Sequence, residues 1–144
     1  MKNATKFTNS DFIVLYLSYY KLAGNTKLDV VQTCYALSEL FFIGKYEYLF
    51  QDFTLRKDKN YKDIVDIDGA LMDAYIFGHI DYDRNIMLQD DDIKNNILPR
   101  YPENVCDLMN DLVKEVIERL DKYPSSNENY VNHLFYQSKS NGRR

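Results

Sequence analysis

The sequence predicts a mainly helical domain of the α+β class, with a small β-hairpin and a long C-terminal helix. Three observations lead to this prediction: two capped helix starts near the amino terminus, two short apolar runs around a polar turn in the middle, and a long amphipathic pattern after Pro102. The chain has 144 residues, of which 45% are hydrophobic. That length fits one domain with its own core.

The first helix is predicted to begin after Thr8, because Asp11 three residues later completes a capping box. Phe7 and Phe12 occupy the two positions of a hydrophobic staple around this cap. Gly24 then supplies a left-handed stop.

The second predicted helix follows directly and shows the same combination of a capping box and a terminal glycine. Thr26 with Asp29 predicts another capping box, and Gly44 predicts the helix end. Only Gly24 and Asn25 separate the two predicted helices, so we expect a sharp turn between them.

The middle of the chain changes pattern several times. Residues 45–55 are rich in β-favouring aromatics and predict an extended segment, and residues 56–60 predict a polar turn. A third helix is predicted over Tyr61–Phe77, with Gly78 as its stop. The alternation in residues 79–88 predicts the hairpin.

The C-terminal third is predicted to be helical. Asp90–Asp92 predicts the start of a short helix, since acidic side chains are favourable there. Pro102 fits a first helical position and Pro124 ends the long helix. We expect one globular domain over residues 1–138 and a disordered tail at 139–144.

Composition and charge restrict the class of function. A charged fraction of 28% together with many aromatic residues excludes an intrinsically disordered chain. No apolar run reaches the ~20 residues that a membrane helix needs. The formal net charge is −4, and residues 51–100 hold seven basic and eleven acidic side chains. This balance disfavours nucleic acid, whose binding depends on neutralising phosphates.

The cysteines and the amino terminus indicate the compartment. Cys34 and Cys106 fall within helical apolar patterns, where a thiol packs as a small hydrophobic group rather than forming a disulfide framework. No A-x-A cleavage pattern follows the apolar stretch at residues 12–20. We therefore expect a cytoplasmic protein.

No residue pattern indicates catalysis or a metal site. His79 and His133 are the only histidines, and neither has a Cys or His at metal-ligand spacing. Residues 81–85 copy the opening of a calcium loop, but Ile86 stands where that loop needs glycine. We expect no catalytic residue, no metal and no cofactor.

The predicted order of helix, turn, helix, strand, helix and hairpin is the order of a winged helix, so a nucleic-acid-binding transcriptional regulator is an alternative function. The third helix would then read DNA. Over Tyr61–Phe77 it holds one Lys and four Asp residues, and its charge would repel phosphates.

Three segments resemble the Panacea domain, the SocA-like antitoxin domain of phages and mobile elements. Leu28–Tyr35 is similar to the family's L-K-L-Q-K-L-L-Y helix, and Leu49–Lys57 to its L-F-x-x-F-x-A-W-K stretch. Ile67–Ile80 is similar to a long helix followed by Gly and Leu-Ile in related phage-type winged helices. The family's Gly-Pro is replaced by Asp58-Lys59.

This resemblance implies a small helical protein, of phage or mobile-element origin, that binds and neutralises another protein, typically a toxin. It implies neither a cofactor nor catalysis. The residues that match the family's stretch are Phe50, Phe53, Leu55, Arg56 and Lys57.

We therefore expect a non-catalytic, protein-binding function. The predicted partner-binding surface is the aromatic and basic stretch at residues 46–61, because Tyr and Arg side chains often dominate binding energy. Its residues are Tyr46, Tyr48, Phe50, Phe53, Arg56, Lys57, Lys59 and Tyr61. The sequence also leaves open a homodimer through the helix at Val105–Leu120.

Overall fold

Helices make up most of the part of the chain that the computed structural model describes, residues 6–58 and 63–125. The predicted class, mainly helical with a small antiparallel hairpin and a long C-terminal helix, is confirmed. The elements are α1 (Asn9–Leu22), α2 (Val30–Ile43), β1 (Leu55–Lys57), β2 (Asp63–Val65), α3 (Asp68–Ile76), α4 (Asp90–Asp92) and α5 (Glu103–Arg119). A π-helical turn (Ile93–Ile97) and a 3-10 turn (Leu98–Arg100) lead from α4 towards α5.

The helix α1 lies at the centre of the core. The predicted capping box is present: the hydroxyl of Thr8 accepts from the amide of Asp11, and the Asp11 carboxylate accepts from the amide of Thr8. Buried side chains cover most of the helix surface, with Leu15 and Tyr16 fully enclosed. A helix that is apolar on all sides is expected to be surrounded by other elements, and α1 packs against α3 and α5.

The helix α2 begins later than predicted, because Asp29 rather than Thr26 caps it. The Asp29 carboxylate accepts from the amide of Gln32 at 2.9 Å. Thr26 instead belongs to the connection from α1, where its carbonyl accepts from the amide of Ile86 at 2.8 Å. The predicted box at Thr26 is therefore wrong, since that backbone pairs with a distant segment.

The extended segment predicted at residues 45–55 is also wrong. Gly44 ends α2 as predicted, with a φ of 83°, and the chain then forms consecutive turns. The amide of Phe50 donates to the carbonyl of Tyr46 at 3.2 Å. Turns of this kind place side chains three apart on one side, whereas a strand would send alternate residues to solvent. The burial of Phe50 and Phe53 follows from that geometry.

The sheet is the hairpin β1–β2, in the register Leu55↔Val65. The third helix predicted over Tyr61–Phe77 is therefore wrong in its first half, where the amide of Val65 donates to the hydroxyl of Ser38 on α2. The Asp66 carboxylate accepts from the amide of Asp68 at 3.0 Å, and this local turn separates β2 from α3. The predicted stop is present, because Gly78 has a φ of 78°.

The hairpin predicted at residues 79–88 is reduced to one antiparallel bridge, Ile80↔Ile86. The Asp81 carboxylate accepts from the backbone amides of Asp83 and Asn85, both at 2.9 Å, and closes the turn. The amide of Ile86 points to the other edge of this segment and donates to the carbonyl of Thr26 in the α1–α2 connection at 2.8 Å. We call residues 79–87 the bridged loop.

The long helix α5 closes the core. Pro102 stands at its cap rather than in its first turn, and a 3-10 turn at Leu120–Lys122 precedes Pro124. The side chains that α5 buries are Val105, Cys106, Met109, Leu112, Val113 and Val116. Within the described ranges, no helix combines the length and apolarity that crossing a bilayer requires. The predicted tail at 139–144 lies outside the described residues.

Candidate functional site

The structure divides the predicted partner surface into a buried and an exposed part. Tyr46, Phe50 and Phe53 are only 0%, 3% and 8% exposed. The ring centroid of Phe12 on α1 lies 5.5 Å from that of Phe50 and 4.7 Å from that of Phe53. These three side chains belong to the core, which corrects their predicted place on a binding surface, because a partner could reach them only by opening the fold.

Tyr46 has a further structural role in joining the turn region to α5. Its hydroxyl donates a hydrogen bond to the carboxylate of Glu115, which also lies 2.9 Å from the ammonium of Lys45. The Tyr46 hydrogen bond is the main cause that lowers the pKa of Glu115. Burial, followed by this hydrogen bond, raises the pKa of Tyr46, so its hydroxyl remains a donor.

The exposed part of the predicted surface is small. Tyr48 is 45% exposed. Arg56 and Lys57 lie side by side in β1, and each faces a carboxylate: Arg56 Nε is 4.0 Å from Asp66, and Lys57 Nζ is 3.8 Å from Asp63. These carboxylates reduce the positive charge that the hairpin presents. Two further predicted residues, Lys59 and Tyr61, lie outside the described residues.

A different cluster of large apolar side chains is exposed on α3 and the bridged loop. We call it the apolar face, and its members are 48–73% exposed. They are Met72, Tyr75, Ile76, Phe77, Tyr82 and Met87. Single exposed apolar residues are common on proteins, but a cluster of this kind is typical of a binding site.

The α3 part of the apolar face reflects which side chains of the helix are buried and which are exposed. The helix packs against α1, and the side chains that it buries fully are the small ones of Ala70 and Ala74. Met72, Tyr75 and Ile76 are spaced three and four residues apart, so they share one outward side. Leu71 packs half-buried against the core, and the other large apolar side chains of α3 are exposed.

The loop part of the apolar face follows from the bridge. Ile80 and Ile86 are 5% and 7% exposed and point to the core. Neighbouring residues along a strand point to opposite sides, so His79 and Met87 point outward. The amide of Met87 donates to the carbonyl of His79 at 2.8 Å and fixes this pair.

Ring contacts join the helix and the loop into one surface. The centroid of Tyr75 lies 6.5 Å from that of Tyr82, in an edge-to-face arrangement. The ring of Phe77 lies 6.0 Å from the ring of His79. The apolar face is therefore continuous from α3 across the bridged loop.

Burial shifts the pKa values of His79 and Cys34. Burial, followed by the charge of Arg100, lowers the pKa of His79, and Asp92 opposes this shift. Burial raises the pKa of Cys34 to about 12, so its thiol stays protonated at neutral pH. Within residues 6–58 and 63–125, no three His, Cys, Asp or Glu side chains are grouped to hold a metal ion. His133 lies outside this part of the chain.

A sequence signal for the apolar face did exist. In the predicted third helix, one face holds Ile64, Ile67, Leu71 and Ala74, with Tyr75 beside it. In the structure α3 has only nine residues. Because Ala70 and Ala74 occupy the core-facing side of this short helix, the side chains from Tyr75 to Phe77 lie on its exposed side.

Comparisons with protein-family models, curated proteins and solved structures found no match to this chain. The resemblance to the Panacea domain therefore stays a prediction.

Proposed function

We propose that this protein is a non-catalytic, antitoxin-like binding module that neutralises a partner protein through its apolar face. The observation that supports this proposal is the joint exposure of six large apolar side chains on α3 and the bridged loop. Burying such surface is favourable by about 25 cal/mol per Å². Tyr75 and Tyr82 provide the rigid aromatic contacts that often dominate binding energy.

The charge of α3 also favours a protein partner over nucleic acid. The helix contains Asp68 and Asp73 and no Lys or Arg. In the alternative function, a winged-helix regulator, α3 would lie against DNA phosphates, and its charge would oppose that contact. We therefore base the proposal on apolar contact.

The test compares three tagged proteins in nuclease-treated lysate of the native host. They are the wild type, the face variant Ile76→Ser/Phe77→Ser, and a control variant Phe42→Ser/Ile43→Ser, which removes an exposed apolar pair from α2. Phe42 and Ile43 are 58% and 55% exposed, against 66% and 63% for Ile76 and Phe77. We expect a stoichiometric partner with the wild type and the control, and its loss with the face variant.

Neutralisation is tested by expressing the captured partner in cells. We expect growth to be inhibited, and to be restored by coexpressing the wild type but not the face variant. Equal capture by all three proteins would contradict the proposed function. Recovery of nucleic acid alone from a parallel lysate that is not treated with nuclease would also contradict it. Circular dichroism establishes beforehand that both variants are folded.

A further inference from the structure

The surroundings of the apolar face are strongly acidic. Between residues 66 and 92 the chain has eight Asp residues and a single basic residue, Arg84. Several of these carboxylates are engaged within the protein. Asp66 pairs with Arg56, Asp73 accepts from the hydroxyl of Ser10, and Asp90 pairs with Lys21. The others determine the charge that a partner meets.

Four exposed carboxylates between residues 66 and 92 have no ion pair among the described residues: Asp68, Asp83, Asp91 and Asp92. Asp83 directly follows Tyr82 of the apolar face. Asp92 is close enough to His79 for its charge to affect that imidazole, whose ring contacts Phe77. Acidic groups therefore lie near the apolar face both in the bridged loop and at α4.

The neighbouring basic groups offset this charge only in part. The guanidinium of Arg84 donates to the carbonyl of Tyr82 at 3.0 Å, within its own turn. Arg100 donates through Nε to the carbonyl of Asn96 at 2.8 Å, and its charge acts on His79 against that of Asp92. The region from α3 to α4 keeps an excess of negative charge.

We infer that the partner meets the apolar face with a cationic amphipathic segment, in which Lys or Arg side chains flank apolar ones. This inference rests on the proposed function and specifies the chemistry of the partner. The apolar side chains of the segment would cover Tyr75 and Ile76, and its cations would lie against Asp83 and Asp92. Complementary charge at the rim of an interface determines which partners bind and accelerates their association.

Charge also argues against a second copy of this chain as the occupant. A symmetric dimer brings the same patch of both molecules together. Asp83 and Asp92 of one copy would then face the acidic rim of the other, and like charges at an interface are unfavourable.

The test uses the full-length protein and three labelled helical peptides of about five turns. One contains leucine and lysine on opposite faces, one replaces lysine by glutamate, and one replaces leucine by serine. We expect only the leucine–lysine peptide to bind, with amide shifts at α3 and the bridged loop. Asp83→Asn/Asp92→Asn should weaken binding by about threefold to tenfold.

The matched control is Asp107→Asn/Asp111→Asn, which removes the same charge from the exposed side of α5, and it should bind like the wild type. Equal binding of the leucine–glutamate peptide at the apolar face, or equal weakening by both charge variants, would overturn the cationic partner and leave the proposed function standing. Failure of the proposed function is seen separately, as unchanged capture of the partner by Ile76→Ser/Phe77→Ser.

Discussion

Two aromatic-rich regions of this molecule have opposite positions in the fold. In residues 46–53 the large rings are mostly buried, and Phe50 and Phe53 contact Phe12. In the apolar face, comparable side chains are exposed, and the residues that α3 buries are the small Ala70 and Ala74. Composition is similar in both regions. The two regions differ in which side chains they bury. The turns at residues 46–53 point their rings at the central helix α1, whereas α3 buries its smallest residues.

The largest effect should come from the buried region. Phe50→Ala should lower the free energy of unfolding by about 3–5 kcal/mol, because it leaves a cavity beside Phe12. Urea denaturation followed by circular dichroism measures this change. A loss below about 1 kcal/mol would show that residues 46–53 are not part of the core, and the contrast between the two regions would disappear.

An intermediate effect on stability is expected at Tyr46, whose buried side chain donates a hydrogen bond to the charged carboxylate of Glu115. The pKa of Glu115 is lowered from 4.5 in the folded state, so its stabilising contribution is present above about pH 4.5 and is lost as the pH falls through the lower, folded-state value. Tyr46→Phe removes the main cause. It should lower the unfolding free energy by about 1 kcal/mol near neutral pH and reduce the decline of that free energy as the pH falls below about 4.5.

The control for this prediction is Tyr48→Phe, the same chemical change at a 45% exposed residue of the same turn region. Its pH dependence should match that of the wild type. If the two variants show the same acid profile, the Tyr46–Glu115 hydrogen bond does not control the titration of Glu115.

The smallest effect on stability is expected in the apolar face. Phe77→Ala should change the unfolding free energy by no more than about 0.5 kcal/mol, since the side chain is 63% exposed. Thermal unfolding of the Phe77→Ala and Phe50→Ala variants, measured together, compares the two losses of stability directly. A loss above about 2 kcal/mol would show that Phe77 is packed in the core, and it would remove this residue from the proposed binding surface.

The success of sequence-based prediction here depended on how local the relevant interaction is. The Thr8–Asp11 cap and the left-handed Gly44 and Gly78 need only adjacent residues, and all were predicted correctly. The cap at Thr26 failed because its backbone bonds to Ile86, which is distant in sequence.

The exposure of the aromatic side chains was harder to predict for the same reason. Whether Phe50 or Phe77 is buried depends on which element packs against it, and periodicity within one segment does not contain that information. The prediction followed aromatic content and chose residues 46–61. Of the residues it named, Tyr48 and Lys57 are exposed and Arg56 is half-buried.

Two backbone hydrogen bonds join the bridged loop to the connection between α1 and α2. The amide of Ile86 donates to the carbonyl of Thr26 at 2.8 Å, and the amide of Leu28 donates to the carbonyl of Arg84 at 2.9 Å. These bonds hold His79 and Met87 outward in the structure of this chain alone. A surface that is already ordered loses little conformational entropy on association, so more of the contact energy of the apolar face contributes to affinity.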